Sequence, residues 1–171
     1  MSFINKNHAH SRVDSNLTRA ALFFALVGDY FLVVQNKNYE WGIFFFILCQ
    51  LLHFYRFTNI KTAIKLSAIL PVIYFLLPHG IKMYERIGII YSIVILFALG
   101  GAIQAFNKRK YEAPNRHFIV IAMLFFVICD VNVLLFNINA LAHYKAYFLY
   151  FIWIFYYPAL LLLSLSHMKL K

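Results

Sequence analysis

The 171-residue chain is 63% hydrophobic and 13% charged, with a mean hydropathy of +0.72, whereas soluble domains carry roughly 25% charged and about 45–50% apolar residues. Its apolar residues arrive in blocks separated by short basic loops, which excludes an ordinary soluble globule and reads as an integral membrane protein. The net charge of +10 is spread between those blocks rather than gathered on one basic face. With no aromatic-plus-basic module present, that spread argues against nucleic-acid binding.

In chain order, residues 1–19 are a polar tail. No cleavable leader is expected, because the first apolar block carries no cleavage-like end. The apolar blocks then predict six transmembrane helices, near 20–35, 41–57, 62–78, 86–106, 117–136 and 147–165, within one domain over 20–166. A short basic tail follows at 167–171. The fold class is therefore all-α: a polytopic helical bundle in which short loops make consecutive helices antiparallel neighbours. The apolar core of the third helix, Leu66 to Pro78, is shorter than the ~20 residues that a bilayer requires. Lys65 can snorkel to lengthen it, and Pro71 is expected to kink it.

The distribution of Lys and Arg supports six crossings. The tail before the first helix has Lys6, Arg12 and Arg19, and the second loop has Arg56, Lys61 and Lys65. Lys108, Arg109, Lys110 and Arg116 occupy the fourth loop, and Lys169 and Lys171 the C-terminal tail. The alternate loops hold only Lys37, then Lys82 and Arg86, then Lys145. That alternation predicts both termini in the cytoplasm. Losing the third crossing would scramble it. The expected location is a multi-pass membrane protein, in the cytoplasmic membrane if the source is bacterial.

Six acidic residues are present, and Asp14, Glu40, Glu85 and Glu112 lie in polar stretches where water can solvate them. Asp29 and Asp130 lie inside apolar blocks instead, and an ionisable group at membrane depth usually marks a functional site. Each lies about six residues, roughly 9 Å, from the outer end of its helix, so the two share one level. Gln50 and His53 share one face of the second helix and reach that region. So does Tyr157 of the sixth helix, with Tyr150 and Ser164 on its face. Gly28 and Ala25 allow a neighbouring helix to come close to Asp29.

Structural readings stand beside these. Gln50 and Tyr157 can be plain interhelical hydrogen-bond partners, His53 a satisfied interior histidine, and the two aspartates structural. His8, His10, His79, His117, His143 and His167 lie at helix ends or in tails, with no catalytic role expected. Cys49 and Cys129 read as buried hydrophobes, with no disulfide and no zinc site. No metal is expected at the aspartates, because two carboxylates without further ligands make a poor cage.

The stretch LVGDYFL, followed by Gly42, Phe46, Gln50-Leu-Leu-His53 and Phe57, resembles the lysoplasmalogenase-like membrane family known as YhhN. The later ICDVNVLLF looks like that family's second aspartate motif, and YYPALLLLSLS is similar to its last helix. The resemblance covers roughly residues 18 to 166. Members typically have eight helices, and the early GD motif suggests that the first two have no counterpart here. Gln50 stands where many members have His, His53 where Tyr is common, and Leu160 where a Gln is often found.

The resemblance implies cleavage of the vinyl ether bond of a lysoplasmalogen, giving a fatty aldehyde and a glycerophospho-alcohol. Such hydrolysis needs a proton on an alkene carbon and then water on the oxocarbenium ion. Burial and a neighbouring carboxylate each favour the protonated form of a carboxyl group, so a close pair can divide acid and base roles. Asp29 and Asp130 are the expected catalytic pair, with Gln50, His53 and Tyr157 binding or orienting substrate. The expected partner is a lysophospholipid-like substrate, with no cofactor, and a homodimer is one way to complete the shortened bundle. The competing classes are a non-catalytic lipid-binding protein, a small proton-coupled transporter and a structural membrane component.

Overall fold

The computed structural model describes residues 12–35, 37–78 and 80–168. Lys6, His8, His10, His79, Lys169 and Lys171 lie outside the described residues. The described residues form α1 (Arg12–Asp29), α2 (Tyr39–Phe57), α3 (Ile60–Leu76), α4 (Met83–Asn107), α5 (Asn115–Phe136) and α6 (Lys145–Leu165), with no strands among them. A π-helical segment, Tyr30–Gln35, continues α1, and a 3₁₀ segment, Asn139–Tyr144, leads into α6. The all-helical fold class is as the hydropathy pattern implies.

Four helical segments are long and apolar enough to cross a membrane: Arg12–Gln35, Met83–Asn107, Asn115–Phe136 and Ala140–Leu165. They make this a membrane protein. α3 has 17 residues, about 26 Å, and runs unbroken through Pro71. The first helix begins at Arg12 rather than near residue 20, so part of the expected polar tail is helical.

α1, α2, α4, α5 and α6 pack in a closed ring, each against the next and α6 back against α1. α3 stands outside that ring, on α2 and α4. Consecutive helices are therefore not all each other's main neighbours: α2 packs chiefly on α1 and α4. Small residues on the buried faces explain the close approach, with Ala21, Ala25 and Gly28 on α1 and Ala98, Gly101, Ala102 and Ala105 on α4. α1 and α2 come closest at Gly28 and Gly42. A Cβ on Gly28 would stand 2.7 Å from the Phe46 ring, and one on Gly42 would stand 2.5 Å from Leu32. The missing side chains are what let Phe46 enter the bundle.

Loop chemistry fixes the ends. Asn59 caps α3 by accepting from the Thr62 backbone N–H at 2.9 Å. Asn38 takes a left-handed conformation, φ 55°, to turn the chain into α2, a geometry that Asn tolerates better than most residues.

Candidate functional site

Asp29 is the last residue of α1 before the π-helical segment, a departure from regular winding that is often found at functional sites. The Tyr156 hydroxyl of α6 donates to Oδ2 of Asp29. On the opposite side of the ring, the Tyr91 hydroxyl of α4 donates to Oδ2 of Asp130 on α5 at 2.7 Å. Each carboxylate is thus held by a tyrosine from a neighbouring helix.

One ring joins the two halves. Phe46 of α2 meets Tyr91 edge-on at 6.2 Å between centroids, and Tyr156 likewise at 6.3 Å. Phe126 and Trp153 pack on the remaining sides of Tyr156. Cys49 and Cys129, both buried, lie within electrostatic reach of both carboxylates. Five helices thus contribute to two carboxylate–tyrosine pairs and the Phe46 ring that links them.

One and two turns past Phe46 on α2, Gln50 and His53 are fully buried. None of their four side-chain nitrogen and oxygen atoms has a hydrogen-bond partner. Burying such atoms without partners costs about 1–3 kcal/mol each, so a water or ligand is their natural complement. His53 stacks on Phe57 at 5.8 Å, which fixes its ring plane.

Tyr157 is placed differently from the expectation. It is 62% exposed and stacks on Trp153 at 5.2 Å, on the outer face of α6 with Tyr150. The shared face with Tyr150 holds, but it is the outer one. Neither Tyr156 nor Tyr91 was legible as a site residue, since a Tyr in an aromatic-rich span reads as bulk. The available signal was register: Tyr156, Ala159 and Leu163 recur at helical spacing and are all buried.

A second polar cluster closes the other end of the bundle, and it corrects the reading of Asp14 as solvated. Asp14 is 4% exposed and accepts from Arg56 Nε at 2.9 Å and Nη2 at 3.0 Å, a bidentate pair. Arg56 Nη1 donates to Ser166 Oγ at 2.9 Å. The Tyr111 hydroxyl shares its proton between Asp14 Oδ1 at 3.0 Å and the Arg56 carbonyl at 2.9 Å. Burial pushes the Tyr111 phenol well above its usual range, so it stays a donor.

Lys110 Nζ lies 2.8–3.2 Å from the carbonyls of Arg56, Phe57 and Thr58, capping the negative end of α2. Its partial burial lowers its pKa from the ordinary lysine value. Asn115 at the start of α5 donates to the Met168 carbonyl at 2.9 Å. Asp14, Arg56, Tyr111, Ser166 and Lys110 all have bonded partners, so the cluster is a clamp; only the buried Oδ1 of Asn115 has none.

No group of three or more His, Cys, Asp or Glu suited to a metal occurs among the described residues. Two open cavities flank α3 rather than the aspartates.

The fold and the site together define a helical membrane protein with two tyrosine-held carboxylates on different helices, joined through one phenylalanine ring. The chain belongs to the YhhN family, whose family model matches residues 2–167. No curated protein and no solved structure matches it.

Proposed function

We propose that the chain is a lysoplasmalogenase-type hydrolase, cleaving the vinyl ether bond of a lysoplasmalogen-like lipid with Asp29 and Asp130 as its acid–base pair. The observation that carries this reading is a pair of carboxylates, each bonded to a buried or part-buried tyrosine, whose two tyrosine rings both pack on Phe46. Membership of the family supports it.

The reaction adds water across the ether. One carboxylic acid delivers a proton to the alkene carbon, leaving an oxocarbenium ion that the other, ionised carboxylate steadies. That carboxylate then takes a proton from the attacking water. The resulting hemiacetal collapses to aldehyde and alcohol, and the pair is restored. General acid–base catalysis of this kind contributes roughly 10²–10⁴-fold, with charge stabilisation adding to it. Tyr91 and Tyr156 hold the carboxylates in place; Tyr157, expected from the sequence to bind or orient substrate, is exposed on the outer face of α6. Gln50 and His53, with unpartnered polar atoms, are suited to hold the water or the lipid's polar atoms. The substrate enters sideways between helices, and the basic ends of the bundle face the cytoplasm.

The test is aldehyde release from a synthetic lysoplasmalogen by purified protein in detergent, beside Asp29→Asn and Asp130→Asn variants of matched thermal stability. Release by the native chain and its loss in both variants is the expected outcome. No release by well-folded native protein overturns the hydrolase and leaves lipid binding or proton-coupled transport.

A further inference from the structure

We infer that the open groove between α2, α3 and α4 binds a membrane glycerophospholipid with an anionic head group, at a place separate from the aspartate pair. The groove holds about 520 Å³ and runs along α4 from Ile93 to Gln104. That run covers roughly 16 Å, about half of the ~30 Å hydrocarbon core, which is one leaflet.

Its lining is graded as a lipid is. Leu96, Phe97 and Phe54 line the apolar part, whereas Thr58, Thr62 and Gln104 make the other end polar. Gly100 keeps the groove open, since a Cβ there would meet nothing within 4 Å.

Charge selects the head group. Lys65 lies one turn further into α3 than Thr62 on the same face, from where its long side chain can snorkel back to the polar end, and Lys108 lies just past the end of α4, one turn beyond Gln104; both are exposed. Lys110 adds positive charge at that end, although its ammonium donates to the carbonyls of Arg56, Phe57 and Thr58. None of the lining residues is acidic. The acyl chain lies against Phe54 and Phe97, and the phosphate sits at the lysine end. That end belongs to the side of the bundle where the Lys- and Arg-rich segments gather, which faces the anionic leaflet if the positive-inside rule holds. The polar end of the groove is beside the Arg56 clamp, whereas Asp29 and Asp130 lie toward the other ends of their helices, so the bound lipid is not the hydrolase's substrate.

The experiment uses full-length protein in nanodiscs of equal phosphatidylglycerol and phosphatidylcholine, followed by native mass spectrometry. The native chain is expected to retain one phosphatidylglycerol at least threefold more often than phosphatidylcholine. Gly100→Leu, which fills the groove, should abolish retention while its thermal unfolding is unchanged. Lys65→Gln with Lys108→Gln should keep a lipid but lose the preference; both side chains are exposed, so this variant carries the test should Gly100→Leu not fold. Equal retention of the two lipids by the native chain overturns the inference. So does a preference that survives either variant.

Discussion

The Tyr156 hydroxyl is bonded to Asp29, while the adjacent Tyr157 is 62% exposed on the lipid side of the same helix. A hydrogen bond to a charged group contributes about 1.5–3 kcal/mol. If it positions a catalytic carboxylate, Tyr156→Phe should lower kcat/KM for vinyl ether cleavage about ten- to a hundredfold, and Tyr157→Phe should leave it unchanged. Equal effects of the two substitutions, measured by aldehyde release, would sink the placement of Tyr156. The aspartates were legible because a lone charge in an apolar block has few explanations. The tyrosines that hold them were not, because hydropathy treats a buried hydroxyl and an interfacial one alike. Only the register set by Ala159 and Leu163 separates Tyr156 from its neighbour.

At the scale of elements, the Asp14–Arg56 pair joins the start of α1 to the end of α2, with Ser166 bringing in the end of α6 and Tyr111 the loop after α4. Both charges sit at the polar flanks of apolar blocks, so composition assigns them to water; only tertiary packing reveals that they are buried together. Removing one partner of a buried pair costs about 3–5 kcal/mol, because the other charge is left without compensation. Arg56→Met alone should therefore unfold the protein in detergent at a markedly lower temperature. Asp14→Leu combined with Arg56→Met should recover most of that loss, since an apolar replacement of the whole pair is often neutral. Simple addition of the two single losses in a double-mutant cycle would show that the pair is not a coupled clamp.

For the whole molecule, the same clamp bears on topology. It gathers the start of α1, the end of α2, the α4–α5 loop and the end of α6 at one end of the bundle, and among the described residues the first three of these, with the first turn of α5, hold Arg12, Arg19, Arg56, Lys108, Arg109, Lys110 and Arg116. The alternation counted along the chain thus runs with an asymmetry in space, from which the positive-inside rule predicts that this end faces the cytoplasm. Of the two helices outside the four long apolar spans, α2 belongs to the ring, whereas α3 is short and stands outside it. Both native cysteines are buried, so a membrane-impermeant maleimide has little to label in the unmodified protein. Single cysteines introduced as Asn38→Cys, Lys61→Cys, Gly80→Cys and Lys108→Cys then report each loop in intact spheroplasts. With six crossings, Asn38→Cys and Gly80→Cys label from outside, whereas Lys61→Cys and Lys108→Cys label only after the membrane is opened. Labelling of Gly80→Cys together with Lys61→Cys, on either side, would mean that α3 lies along the bundle without crossing. The basic loops flanking α2 and α4 could then no longer share one face of the membrane, although the clamp holds them at one end. That conflict is the physical reason for expecting α3 to cross.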